Sequence, residues 1–224
     1  MKLWRPTVEI MRAPLPERVL ACAPHPDDEV LGCGGTLALH AAQGDPVHVV
    51  IAFDGLLGLE PQWPRDTRER EARKAADALG LRHYQFLNHP EGHVLTPAEF
   101  EAGVRQMAGL IEALTPDVIY APWPGEAHLD HKTLARVMFR AAQFTRTKAE
   151  IWGYEVWTPL RADRVIEISS AWPKKLQALA EYASQLGSTN LTLQAEEHAR
   201  SRSSLFNERT SRSEAFLRFP KVTT

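Results

Sequence analysis

Ala23-Pro24-His25-Pro26-Asp27-Asp28-Glu29 sets a histidine and three carboxylates within five positions, between an apolar run and a glycine cluster, Gly32, Gly34 and Gly35. The run before it, Val19 to Ala23, reads as a buried strand. Proline fixes φ and disfavours helix in the residue that precedes it, so helix begins no earlier than about Asp27. His25 and Asp28 therefore share a turn at a strand end. Beyond the turn, Thr36 to Ala42 is rich in helix formers and Gly44 supplies a stop. Val47 to Phe53 is almost continuously apolar and rich in β-branched residues, as in a strand covered on both faces. Strand, turn, helix and strand make the unit of a parallel sheet.

The same alternation continues downstream. Asp54 to Pro64 reads as an active-site loop, Arg65 to Leu79 as a helix whose Arg–Glu neighbours form a solvated face, and Tyr84 to Leu87 as a short strand. Thr96-Pro97-Ala98-Glu99 combines a capping box with proline at the first helical position, and starts a helix to about Leu114. Asp117 to Ala121 is a second buried-strand pattern, and it empties into Pro122-Trp123-Pro124-Gly125-Glu126-Ala127-His128-Leu129-Asp130-His131. Lys132 to Ala142, Ala171 to Leu186 and Asn190 to about Asn207 read as helices, and Glu150 to Trp157 and Arg164 to Ile168 as strands. Glu214 to Phe219 reads as a closing strand or an ordered tail. Residues 1–17 form an N-terminal arm that Pro6, Pro14 and Pro16 keep irregular. No repeat or linker divides the chain, so residues 1–224 are expected to be one domain, a three-layer α/β sandwich with a mostly parallel sheet.

Composition narrows the function. A net charge of −2, with 24% of residues charged, argues against a nucleic-acid surface built on excess positive charge. The first twenty residues are too broken by charge and proline for a signal peptide, and nothing reads as a membrane span, so a cytoplasmic location is expected. Cys22 and Cys33 have the spacing of neither a zinc ribbon nor a disulfide framework, and read as reduced packing residues.

In a parallel sheet the loops after Ala23 and Ala121 open on the same edge, where ligands of such sheets bind. His25 and Asp28 from one turn and His131 from the other then make two histidines and a carboxylate, three ligands with an open position, as in catalytic zinc. Such an ion activates water and polarises a carbonyl, which suits amide or ester hydrolysis. Asp27 is placed to carry the proton from water to the leaving amine, His128 to face the developing oxyanion, and Asp130 to hold a histidine ring in orientation. His40, His48, His83 and His198 are left as surface or capping residues. Glu29 reads as a helix-start residue or a partner to the ligands.

Pro24-His25-Pro26-Asp27-Asp28-Glu29 with Gly34-Gly35, together with His128-x-Asp130-His131, closely resembles the LmbE-like, or PIG-L, family of zinc-dependent N-acetylglucosaminyl de-N-acetylases. Phe53-Asp54-Gly55, the Arg68-to-Gly80 helix, Tyr154 to Trp157 and Glu214-Ala215-Phe216 extend the likeness. The resemblance implies a Rossmann-like fold and removal of an N-acetyl group from an amino sugar or its conjugate. It also implies zinc at His25, Asp28 and His131, ligands that equally take iron(II) or cobalt(II), with Asp27 as general base and acid and His128 as oxyanion partner. Homo-oligomers occur among the members, so self-assembly is among the options for this chain. Arg68 aligns with a substrate-contacting arginine of relatives. Glu91-Gly92 replaces an Asp-Gly that touches sugar hydroxyls, and Glu126 stands where some relatives carry a tyrosine; these three are the expected substrate contacts. One rival is hydrolysis of another amide, such as a thiol-sugar conjugate, at the same metal. The other is a nucleotide-binding module that uses Gly32, Gly34 and Gly35 as a phosphate loop, against which stand the wrong glycine spacing and three acids where phosphates would lie.

Overall fold

The computed structural model describes residues 8–15, 17–186, 190–204 and 211–220. In chain order the elements are β1 (Glu9–Met11), β2 (Val19–Ala23), α1 (Asp28–Gln43), β3 (Val47–Phe53), α2 (Thr67–Leu79), β4 (His83–His89), α3 (Pro97–Leu114), β5 (Val118–Pro122), α4 (Leu129–Thr145), β6 (Glu150–Tyr154), β7 (Arg164–Glu167), α5 (Trp172–Ala180), α6 (Leu191–Ser203) and β8 (Ser213–Arg218). They build one eight-stranded sheet in the order β1-β7-β8-β6-β5-β2-β3-β4. Every described pairing is parallel except those of β8, which runs antiparallel to β6 and β7. Both faces are covered. Leu37, Leu79, Leu179 and Leu191 bring α1, α2, α5 and α6 onto one face, and Met107, Ile111 and Met138 bring α3 and α4 onto the other. Burial on both faces explains why β2, β3 and β5 are apolar without alternation.

Helix α1, which follows the acidic turn, is broken at Cys33, where φ is −144° and ψ 15°. A break strands backbone groups that are costly to bury unpaired. The Glu214 carboxylate accepts from Gly35 N and Thr36 N, both at 2.8 Å, and from Thr36 Oγ1 at 2.7 Å. Lys175 Nζ donates to Leu31 O at 2.7 Å and pairs with Glu214 at 2.6 Å. Strand β8 and helix α5 thus splice α1. The glycines serve contact: a Cβ on Gly32 would lie 2.1 Å from the Tyr154 ring, and one on Gly35 2.5 Å from Ile168 Cδ1. They sit buried inside a helix, which removes the phosphate-loop reading.

Several boundaries differ from the sequence expectations. The N-terminal arm is not irregular throughout: Glu9–Met11 lies between the prolines and pairs in parallel with β7 at the sheet edge. Pro16 and residues 1–7 lie outside the described residues. The strand expected to reach Trp157 stops at Tyr154, because the next backbone N–H groups, Val156 to Thr158, are taken by Glu126. The helix expected over Ala171–Leu186 is confined to Trp172–Ala180, with turns beyond it. Helix α6 is described to Ser203, and the expected extension to Asn207 lies outside the described residues. The closing segment is a strand. Cys22 and Cys33 are free and buried, as expected, and no helix among the described residues is long and apolar enough to cross a membrane.

Removing one member of a buried ion pair leaves a charge without its partner. Lys175→Met is therefore expected to cost about 3–5 kcal/mol in chemical denaturation. An unchanged midpoint would show that Glu214 does not depend on it.

Candidate active site

Strands β2 and β5 pair in parallel, with Val19 opposite Val118 and Ala21 opposite Tyr120, so the turns that leave them open side by side. His25 follows β2 by two residues, and His128 is the N-cap of α4, accepting Asp130 N–H at Nδ1 over 3.2 Å. His25 packs edge-on against His128 with ring centroids 5.1 Å apart, and its centroid lies 5.5 Å from that of His131.

Asp28 joins the two turns. Its Oδ2 is 3.1 Å from His25 Nδ1 and 3.1 Å from His131 Nε2, and it also accepts His25 N–H at 3.0 Å. Donors bound ~2.0–2.2 Å from a tetrahedral ion stand roughly 3.3–3.6 Å apart, close to these spacings. His131 is fully buried, yet neither of its ring nitrogens meets a partner in hydrogen-bond geometry, the nearby Asp28 included. A buried imidazole so placed fits a ligand waiting for an ion. The other ring nitrogen of His25 faces Asp130 Oδ2 at 3.0 Å, the carboxylate–histidine arrangement that orients metal ligands. The three histidines also bring one ring nitrogen each within 4.8 Å of one another, and a second group within the same distance joins a ring nitrogen each of His25 and His128 to a carboxylate oxygen each of Glu91 and Asp130. His128 is thus a second candidate for the third ligand position.

Charge is concentrated here. Burial works against a charged His25, but hydrogen bonds to Asp130 and Asp28 overcome it and raise its pKa to about 10. Asp28 is also penalised by burial, yet the charge and close contacts of His131 and His25 hold its pKa below the ordinary value. Asp27 behaves oppositely: burial outweighs the attraction of Arg68 and raises its pKa to about 7. Its backbone is at φ 117°, a costly conformation for a residue with a Cβ. The surroundings hold it there. Its N–H meets Glu29 Oε2 at 3.2 Å, and Arg68 Nη2 reaches its Oδ2 at 2.8 Å and Pro26 O at 2.5 Å. Burial likewise lifts Glu29 to about 7 against the hydrogen bond from Tyr182.

The remaining residues singled out from sequence fall in different places. Arg68 is buried, with Nη1 on Gly55 O at 3.0 Å, so it belongs neither to the solvated face of α2 nor to an open substrate surface. It sits behind Asp27. Glu71 is also turned inward, onto Ser184, whereas Arg70 and Arg73 form the exposed pairs. Glu126 is fully buried and spends its oxygens on Val156, Trp157 and Thr158 N–H groups, with Oε2 3.9 Å from His131 Nδ1. Glu91 stands at the rim, Oε1 3.6 Å from His25 Nε2 and Oε2 accepting Leu57 N–H at 2.9 Å, while Gly92 N donates to Asp130 at 3.0 Å. Sequence reasoning missed Tyr182 and Tyr84, which donate to Glu29 Oε1 at 2.7 and 3.3 Å. Neither lies in a motif, and only the packing of α5 and β4 beside α1 brings them there. Nor is His40 a surface residue: it is buried between Asp45 (2.7 Å) and Tyr120 (3.2 Å).

The family model described as PIG-L, GlcNAc-PI de-N-acetylase, matches residues 20–142, more than half of the chain. A 1D-myo-inositol 2-acetamido-2-deoxy-alpha-D-glucopyranoside deacetylase of Kineococcus radiotolerans is 28% identical over 56% of this chain and 45% of its own length. The chain thus spans about half the length of that relative. A probable N-acetyl-alpha-D-glucosaminyl L-malate deacetylase 2 of Bacillus cereus is 27% identical over 75% of this chain and 83% of its own length. Among solved structures, a conserved protein of Thermus thermophilus superposes with a TM-score of 0.80 at 24% identity, covering 93% of this chain and 97% of that one, and shares the fold.

Metal titration separates the two candidate ligand sets. With His25, Asp28 and His131 as ligands, Asp28→Ala and His131→Ala are expected to lose zinc at stoichiometric loading while His128→Ala retains it. Retention by Asp28→Ala with loss by His128→Ala would assign the third position to His128.

Proposed function

The chain belongs to the PIG-L family of GlcNAc-PI de-N-acetylases, and on that premise we propose that residues 1–224 are one catalytic domain, a zinc-dependent hydrolase that removes the N-acetyl group from an N-acetylglucosamine-type sugar or its conjugate. The observation that carries the reading is the Asp28 carboxylate 3.1 Å from one nitrogen of each of two histidines, with Asp27 next to it in the chain. Two relatives whose names describe deacetylation of an acetamido-sugar or N-acetylglucosaminyl conjugate support the substrate class.

His25, Asp28 and His131 would hold the ion. When bound, zinc there would lower the pKa of a water to near neutrality and polarise the amide carbonyl. Asp27, with a pKa raised to about 7 by burial against the opposing charge of Arg68, accepts the attacking water's proton and returns it to the leaving amine. Arg68 keeps that carboxylate aimed. His128 receives Asp130 N–H on Nδ1, so the neutral ring carries its proton on Nε2, where it donates to the oxyanion. Its pKa is lowered by burial and by the neighbouring His131 and His25, which favours the neutral form. Asp130 holds the His25 ring. Glu91, at the rim, is the acid best placed to meet a sugar hydroxyl. The oxygens of Glu126 are occupied by backbone N–H groups, so it acts as a brace rather than a substrate contact.

The test is amine release across a panel of N-acetylglucosaminyl conjugates, including thiol-bearing ones, with and without added zinc. Zinc-dependent release of acetate is expected; release of a different acyl fragment would favour the other-amide reading. Asp27→Asn is expected to keep its zinc and lose about 10²–10⁴ in kcat. An unchanged kcat would remove Asp27 from proton transfer.

A further inference from the structure

Asp27 is the N-cap residue of α1, and an aspartate in that place ordinarily folds its carboxylate onto the N–H groups of the first helical turn. Here it makes no such bond. Its backbone, at φ 117°, lies outside the extended conformation from which capping side chains reach those groups. The carboxylate goes to Arg68 Nη2 instead, at 2.8 Å. Asp27 thus forgoes a favourable local bond and holds a strained backbone as well, and both costs are met by its surroundings.

Glu29 meets part of them. It is fully buried in the first turn of α1, and its Oε2 turns back to accept Asp27 N–H at 3.2 Å. This is one half of a capping box, the helix side chain reaching back to the N-cap N–H. The other half is missing, in contrast to α3, where Thr96 and Glu99 complete both.

The second oxygen of Glu29 is fixed from across the fold. Tyr182 and Tyr84 donate to Oε1 at 2.7 and 3.3 Å. Tyr182 follows α5 and is clamped on both sides: Ser184 is held by Glu71 of α2 through N at 2.9 Å and Oγ at 2.7 Å, and Lys175 within α5 pairs with Glu214. Packing alone does not ask for an acid at position 29, because a buried carboxylate is costly and an apolar side chain of similar volume would fill the space. What the acid supplies is an acceptor aimed at one backbone N–H.

We propose that Glu29 is a positioning residue, set by Tyr182 and Tyr84, which holds Asp27 in the conformation that does not cap α1 and so keeps the Asp27 carboxylate free for proton transfer. The inference rests on the hydrolase reading, in which Asp27 carries the proton. Glu29 holds the backbone and Arg68 the carboxylate. Released from Glu29, Asp27 relaxes to negative φ and folds onto the first turn of α1, away from the attacking water and the leaving amine.

The experiment measures zinc affinity, kcat and KM of the zinc-loaded full chain on an N-acetylglucosaminyl conjugate that the wild type cleaves, with a crystal structure of Glu29→Met. That variant is expected to lose about 10- to 100-fold in kcat while KM and zinc affinity stay unchanged, and to show Asp27 at negative φ. Glu29→Gln keeps an oxygen for Asp27 N–H, and its NH2 group donates to the phenol oxygens, so it is expected to restore most of kcat. Tyr182→Phe, with Tyr84 still in place, is expected to show a smaller loss of kcat. Wild-type kcat in Glu29→Met would overturn the proposal. So would a loss that Glu29→Gln shares in full, which would assign the effect to the charge, or a loss matched by release of zinc, which would make the role structural. Tyr182→Phe keeps the buried ring and removes no charge, so it decides the case if Glu29→Met does not fold: an unchanged kcat overturns the proposal. A wild type that cleaves no conjugate in the presence of zinc would contradict the hydrolase reading itself.

Discussion

The ladder between β2 and β5 is the constraint on which the site depends. These strands are far apart in sequence, yet they pair in parallel and in register, so their C-terminal ends stop at the same level. Each then releases a turn with a histidine and an acid. The covered faces of the sheet make this pairing rigid, because a slip by one residue would turn every apolar side chain of either strand to the opposite face. Asp28 Oδ2 falls between His25 and His131 as a consequence of that register, and the first turn of α4 delivers His131 already oriented.

Buried acids hold the surrounding scaffold. Glu214 caps the second half of the broken α1, Glu126 gathers the backbone that follows β6, Glu71 fixes the turn at Ser184, and Glu29 accepts from two tyrosines and from Asp27 N–H. Each would be costly to bury alone and is surrounded by donors instead. The arrangement also accounts for Asp27. Its left-handed backbone is held between the Glu29 carboxylate and the Arg68 guanidinium, so strain at the proposed proton carrier is sustained by two buried charged groups.

Much of this was legible in the chain. Continuous apolar runs of five to seven residues announced the parallel strands, and Thr96 with Glu99 announced the start of α3 by a reciprocal cap that the structure contains. The two histidine turns were visible because their residue types are unusual at strand ends. The pairs that cross the fold were not visible. An arginine among arginines gives no sign that Arg68 alone points inward, since helical position shows only relative to the elements packed around it. Glu126 read as a substrate contact because its place beside the motif was known, but not the backbone donors that close around it. The short edge strand Glu9–Met11 has too few residues for a period, and only its pairing with β7 defines it.

The central claim is that turns a hundred residues apart form one metal site with two imidazoles and a carboxylate. Zinc-edge X-ray absorption on protein purified without chelator tests it directly. The account predicts one zinc per chain with two imidazole nitrogens and oxygen ligands at about 2.0–2.2 Å. Three imidazoles, a sulfur ligand, or protein that takes up no zinc would contradict it.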